Sequence, residues 1–292
     1  MDGMRYKTWF GETSARIERK LFKMSEISTE IVLDAIIKGI LNEGIELFLD
    51  GSLVDEIGDF VDSNNIEVIS PEDILSSLSQ ANKLQGVNAL LDFGCGTAAY
   101  RNMIESLGYK WYGINYLNAM AKGIRKDAGR NNDISFYDGI KLPYDDKVFH
   151  VVYSNQVFEH CSDIHANFRE IQRVLKPGGS LVGSVSYLEQ MHDYSTFNCT
   201  PLGIKTACDA SGMKLVKLYP SYDIFTWMVR RLLITTKGTD INSLSKTLLR
   251  ENNISSHMNT YCKRIGSTVK ENNLFRLMFS AHITFHIDNP YT

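Results

Sequence analysis

The 292-residue chain has no Cys-x-x-Cys pair; its five cysteines, Cys95, Cys161, Cys199, Cys208 and Cys262, are odd in number and widely spaced. That disfavours both a disulfide framework and a zinc site. No other set of metal ligands stands out along the chain, so the sequence assigns no metal and does not favour a magnesium-dependent mechanism. Also missing is any Lys/Arg-rich run interleaved with aromatics, and with it the signature of a dedicated nucleic-acid surface. The first dozen residues, MDGMRYKTWFGE, lack an apolar signal core, and the most apolar later stretch, Ile224 to Ile234, is broken by Arg230 and Arg231. These absences predict a cytoplasmic protein without a membrane span. No internal repeat or low-complexity tract interrupts the chain.

What is present is an ordinary globular mixture, 43% hydrophobic and 22% charged, which excludes a disordered or fibrous class. The formal net charge of -3 is unevenly spread: 16 Asp+Glu face 8 Lys+Arg up to Gly86, and the remainder is basic by 5. A mildly basic catalytic part would suit an anionic substrate, although a surplus of this size is also what solvated surfaces look like. Length allows one catalytic domain with an accessory piece.

From about Thr29 to Leu49, Ile31, Val32, Ile36, Ile37, Ile40, Leu41, Ile45, Leu47 and Phe48 recur at three- and four-residue steps and predict an amphipathic helix. Shorter helices are predicted from Leu53 to Val61 and from Pro71 to Leu84. The second is opened by Ser70-Pro71-Glu72-Asp73, a cap, a first-turn proline and acids facing the helix dipole. Residues 1–86 therefore read as a helical accessory or lid region.

After Gly86 short apolar runs alternate with helical segments, the pattern of βαβ units. Strands are predicted near Ala89 to Phe93, Trp111 to Ile114, Ile134 to Tyr137, Val148 to Ser154, Ser180 to Ser186, Leu215 to Tyr219 and Leu277 to His286. Helices are predicted around Ala99 to Leu107, Asn118 to Lys126, Ile164 to Leu175 and Leu202 to Ala210. The fold class is α/β, a doubly wound, mostly parallel seven-stranded sheet over 87–292. A helical N-terminal extension precedes it, and a helical insertion at about 225–273 separates the last two strands. Excursions of that length usually serve as lids or binding elements.

The strongest local signal is LLDFGCGTAAY, Leu90 to Tyr100: a buried strand ends in Asp92 and turns through Gly94 and Gly96 toward a helix. Glycines there let a ligand approach the backbone closely. Read as Gly94-x-Gly96-x-x-Ala99, the turn also satisfies the dinucleotide pattern, so by itself it leaves the ligand open. Two longer segments follow in order. They are YDGIKLPYDDKVFHVVYSNQVFEH, Tyr137 to His160, and REIQRVLKPGGSLVGS, Arg169 to Ser184.

Together these segments, roughly Ala89 to Tyr187, resemble the class I S-adenosylmethionine-dependent methyltransferase family, whose first motif runs from an apolar strand through an acid into three alternating glycines. Ala98 stands where the third glycine is usual. The resemblance implies a Rossmann-like fold and S-adenosylmethionine as cofactor. By it, Asp92 holds the methionine end while Gly94, Cys95, Gly96 and Thr97 pack against the cofactor. Asn115, followed by Tyr116, takes the ribose position normally held by an acid; an amide there lacks charge-assisted strength, so cofactor affinity should be reduced. Asp138 with Gly139 should face the adenine amino group, the alternative for Asp138 being a cap on a surface turn. Asn155 and Gln156 should border the cofactor from the fourth strand. Pro177-Gly178-Gly179 reads as a tight connection into the fifth strand.

The segment Ser186 to Ile204 follows that strand and so emerges at the carboxyl edge, where substrates bind in such sheets. It resembles a branch of the family associated with glycan and other secondary biosynthesis. His192 is the candidate general base, with Asp193 to orient it; a loop-fixing role is the alternative, and His160 beside Glu159 is a weaker candidate. Tyr187, Tyr194, Phe197, Tyr222, Phe225 and Trp227 are pocket candidates or ordinary core. The expected acceptor is a small-molecule or sugar-containing metabolite, with oxygen the first choice of methylated atom and nitrogen or carbon left open. Two alternatives stay open: a non-catalytic cofactor or NAD binder, and a docking module for carrier-linked substrates. The second comes from Leu47 to Ile74, which faintly resembles acyl-carrier helices although Gly51 separates Asp50 from Ser52. The N-terminal helices also offer a surface for pairing with a second copy.

Overall fold

The structure is a computed structural model describing residues 49, 51–66, 68–82, 88–117, 133–235 and 253–290. The helices expected at Thr29 to Leu49 and Asn118 to Lys126 lie almost wholly outside the described residues. Two compact units result, one of Met1–Leu47 with Leu233–Gly266 and one of Phe48–Leu232 with Ser267–Thr292. Within the first, helix Asn253–Arg264 buries Met258, Tyr261 and Cys262. Everything below concerns the second.

Its helices are α1 (Gly51–Ile57), α2 (Pro71–Asn82), α3 (Arg101–Ser106), α4 (Ile164–Val174), α5 (Pro201–Ser211), α6 (Ile224–Thr235, the last turn reaching into the first unit) and α7 (Val269–Met278). Its strands are β1 (Asn88–Phe93), β2 (Tyr109–Tyr116), β3 (Ile134–Tyr137), β4 (Phe149–Asn155), β5 (Leu175–Ser186), β6 (Lys214–Pro220) and β7 (His282–Asp288). They form one sheet in the order β3-β2-β1-β4-β5-β7-β6, with β7 antiparallel to both its neighbours and the other pairings parallel. The seven-stranded, mostly parallel sheet expected from the sequence is thus present.

Central strands are apolar on both faces because helices cover both. Leu90, Trp111, Val151 and Tyr153 pack with Leu75 of α2 and Ile104 of α3. Leu91, Phe93, Ile114, Val152 and Leu181 pack on the opposite face with Phe168 and Ile171 of α4 and Ile204 of α5. Local chemistry sets the helix starts. Asp163 caps α4 through Ala166 N at 2.9 Å, and Thr200 caps α5 through Gly203 N at 3.0 Å with Pro201 in its first turn. Helices α1 and α2, from the stretch read as an accessory region, belong to the same compact unit as the sheet.

Two boundaries differ from expectation. The last strand starts at His282 rather than Leu277, because Thr268 and Glu271 form a reciprocal capping box that starts α7, and Leu274 and Leu277 are buried at helical spacing. The fifth strand starts at Leu175, five residues early. Lys176 to Gly179 form a bulge between the Phe149↔Leu175 and Val151↔Ser180 pairs, with Gly178 at φ 76°.

Candidate active site

At the carboxyl edge of β1 the main chain turns sharply, with Gly94 N and Cys95 N both donating to Ile114 O at 2.9 and 3.2 Å. Gly94 (φ 78°), Gly96 (φ 56°) and Ala98 (φ 64°) all adopt the left-handed conformation that favours glycine. The two glycines serve differently. A Cβ on Gly94 would stand 2.4 Å from Val157 Cγ2, whereas one on Gly96 would meet nothing within 4 Å. Gly94 is thus required by packing, while Gly96 opens onto free space.

Asp92 lies just below this turn, buried, accepting a hydrogen bond from Trp111 Nε1 at 3.0 Å. Burial pushes its carboxyl from 3.8 up to about 6. Cys95 is buried as well, its thiol pushed up to about 12 by burial and by the nearby Asp92. Thr97 is exposed on the turn.

Asn115, at the end of β2, clamps the turn: its Nδ2 donates to Gly96 O at 2.8 Å and its Oδ1 accepts from Gly96 N at 2.9 Å. Both ends of the amide expected at the ribose are therefore engaged by the backbone of Gly96. Asp138 is exposed and accepts from Ile140 N and Lys141 N at 2.8 and 3.0 Å, bonds that lower its pKa. It closes a surface turn in the manner of the alternative reading. Gly139 (φ 87°) lies against the Tyr116 ring, where a Cβ would come within 2.7 Å of Cε2.

From β4, Asn155 donates to Tyr100 Oη at 2.6 Å and accepts from Ser184 Oγ. Gln156, at φ 56°, donates to Ser184 Oγ at 2.9 Å and accepts from Ser186 Oγ at 3.1 Å. Glu72 of α2, read from the sequence only as an acid at a helix start, accepts from the buried Tyr153 hydroxyl at 2.6 Å, and the Tyr100 ring packs on Tyr153. The parallel strands bring Asp92, Asn115, Tyr116, Asp138, Asn155 and Gln156 to the same edge of the sheet.

A second group forms where β5 ends. In the antiparallel register Ser186 faces His282, so the start of β7 delivers a histidine to the end of β5. Ser186 Oγ lies 3.1 Å from Glu159 Oε1 and 2.9 Å from Glu189 Oε2. Glu189 is paired with His282 Nε2 at 2.7 Å and with Arg231. Burial opposes its charge, yet hydrogen bonds from His282, Arg231 and Ser186 hold its carboxyl down to about 2. Glu159 is fully buried and, with less help, is pushed up to about 7 by burial. The Trp227 ring lies 4.4 Å from that of His282 and stacks on Tyr222. Tyr194 and Phe225 are exposed.

His192 sits between the two carboxylates, Nδ1 3.6 Å from Glu189 Oε1 and Nε2 3.9 Å from Glu159 Oε1. Its expected orienting partner, Asp193, instead lies in an exposed turn at φ 36°. Glu189 of the same loop and Glu159 of the Phe158–His160 turn take the position that adjacency in sequence assigns to Asp193. The rings of His160 and His192 meet edge to face at 5.3 Å, and His160 is shifted down by burial and by His192. Among the described residues no helix is long and apolar enough to cross a membrane.

Residues 91–183 match a family model described as a methyltransferase domain. Among curated proteins the chain is similar to the norajmaline N-methyltransferase of Rauvolfia serpentina, 29% identical over 150 residues, 48% of this chain and 50% of that one. It is also similar to a sterol 24-C-methyltransferase of Gibberella zeae, 31% identical over 96 residues, 31% of this chain and 25% of that one. A third is the malonyl-acyl-carrier-protein O-methyltransferase of Buchnera aphidicola, 26% identical over 110 residues, 37% of this chain and 43% of that one. The chain spans half or less of the length of these relatives. They are named for transfer to nitrogen, carbon and oxygen respectively.

Proposed function

On the premise that residues 91–183 form a methyltransferase domain of the class I S-adenosylmethionine-dependent kind, we propose that this chain methylates a hydroxyl of a small-molecule or glycan acceptor. The observation that carries the reading is Asp92: a buried carboxylate on the strand that leads into the glycine turn, hydrogen-bonded to Trp111 and with no cation among its described partners. A cationic ligand resting on the turn supplies the missing charge, and the bare face of Gly96 leaves room for it.

S-adenosylmethionine supplies a methyl group already activated on sulfur. The chain has to hold, orient and keep dry. Asp92 faces the cationic methionine end, and Gly94, Cys95, Gly96 and Thr97 form the floor. Tyr116, Gly139 and the turn closed by Asp138 border the adenine, with Asn155 and Gln156 at the inner wall. Asn115 works through Gly96, fixing the turn on which the ribose lies. Such positioning supplies about 7–11 kcal/mol in favourable cases, more than the roughly 3–5 of general-base assistance.

The polar lining at Ser186, Glu189 and His192 supports a hydroxyl-bearing acceptor over an apolar one. In this reading His192 takes the proton from that hydroxyl, and Glu159 and Glu189, within 4 Å of its ring, orient it. Titration with S-adenosylmethionine, S-adenosylhomocysteine and NAD tests the donor; tight NAD binding without response to the other two would sink the proposal. A methyl-transfer screen across nucleotide sugars, glycans and phenolic metabolites, read by product mass, tests the acceptor.

A further inference from the structure

Beside that pocket, Glu159 and His160 come from the one-turn helix Phe158–His160 and His192 from the loop after β5, and one ligating atom from each lies within 4.8 Å of the others. His192 Nδ1 lies 3.2 Å from Gln190 O, which places its N–H there and turns the Nε2 lone pair toward Glu159. His160 Nδ1 is buried with no hydrogen-bond partner. Glu159 is fully buried; Oε1 meets Ser186 Oγ, and Oε2 has no partner. An imidazole tied by one nitrogen to a main-chain carbonyl, as His192 is, with the other nitrogen turned inward, is how proteins orient a histidine toward a metal.

We propose that Glu159, His160 and His192 bind one divalent first-row transition-metal ion through two imidazole nitrogens and a carboxylate, leaving coordination positions for an acceptor oxygen. The nitrogen-rich set selects ions such as Zn²⁺ or Co²⁺ over Mg²⁺ and Ca²⁺, which take oxygen ligands. Bonds of about 2.0–2.2 Å place neighbouring ligand atoms roughly 3–3.5 Å apart, so the 3.9 Å between His192 Nε2 and Glu159 Oε1 has to close by under about 1 Å. The three ligands come from two segments far apart in the chain, which is why spacing along the sequence hid them. With an ion bound, His192 is a ligand rather than a base, and an acceptor hydroxyl on the ion loses its proton more readily. That last role rests on the methyl-transfer reading; the binding itself does not.

The test is therefore run on the full chain stripped of metal, without donor or acceptor. Calorimetric titration with Zn²⁺ should give one tight equivalent, and Co²⁺ should give visible bands without thiolate charge transfer. His192→Ala and Glu159→Gln should each weaken binding at least about tenfold with unchanged thermal melts, while Met191→Ala, at an exposed neighbour, should bind as the parent does. No saturable binding overturns the site. So does binding that survives both ligand substitutions, or a cobalt spectrum showing thiolate, which would move the ion to a cysteine.

Discussion

The glycine turn after β1 and the polar pocket after β5 lie along the same sheet, and their shapes have opposite origins. The turn is shaped by main chain: three left-handed residues, two backbone N–H hydrogen bonds to Ile114 O, and the Asn115 side-chain clamp on Gly96. The pocket is shaped by side chains from four segments, with Glu159, Glu189, Arg231 and His282 meeting around Ser186 and His192. A site held by backbone tolerates change around it but not in it. A site held by converging charges can lose one member and keep its outline.

The sharpest break in that comparison is Gly96→Val. A branched side chain would fill the open space above the turn and strain a residue at φ 56°. Cofactor affinity should fall by about a hundredfold or more, while the melting temperature moves only by what roughly 1–2 kcal/mol of strain implies. Unchanged affinity in a calorimetric titration would remove the turn from the binding site.

His192→Ala asks the same of the pocket. Turnover should fall by about 10²-fold with S-adenosylhomocysteine binding unaltered, since positioning of the donor lies elsewhere. Normal kcat with the preferred acceptor would strip His192 of any part in the reaction.

The contrast also explains what could be read in advance. Asp92, Gly94 and Gly96 sit in one eleven-residue string whose strand, turn and helix are all local, and strands β1 to β4 carry dense apolar runs. The parallel sheet and its switch point follow from these. Adjacency in sequence assigns Asp193 to His192, but Asp193 lies in an exposed turn at φ 36°, and Glu159 and Glu189 are the carboxylates found within 4 Å of the imidazole. His282 could be placed only once β7 was known to run antiparallel beside β5. The same limit moved the start of β7, because a four-residue capping box, Thr268 to Glu271, starts a helix through the apolar run. Asn115 matched its position by motif and still put its amide on Gly96, a choice that depends on how the turn folds back over β2.

Asp92→Asn sharpens the comparison through pH. The carboxyl rises from 3.8 to about 6 on folding, so the folded chain holds the proton more tightly. Stability is then greatest below about 4, declines as pH rises to about 6, and stays lower above it. Removing the charge should stabilise the ligand-free protein at pH 7.5 by about 1–3 kcal/mol, leave it little changed at pH 4, and weaken donor binding. Denaturant melts at both pH values that move in parallel for the two proteins would mean that Asp92 is not the uncompensated charge described above. Smaller again, Asn115→Ala removes both bonds to Gly96. Donor affinity should drop about tenfold, and an unaltered value would show that the turn keeps its shape unaided.

The smallest effect lies at Ala98, where the related motif carries glycine. Its φ of 64° costs an L-residue about 1–2 kcal/mol. Ala98→Gly removes that strain but gives the unfolded chain about 0.4–1 kcal/mol of added freedom. The two partly offset, leaving a net gain between zero and about 1.6 kcal/mol, read as a slight rise in denaturation midpoint with the slope unchanged. A loss of stability would mean that the Ala98 methyl, which packs beside the cluster around Leu90 and Ile104, contributes more than its backbone strain removes. The alanine would then be a working part of this turn rather than a tolerated departure from it.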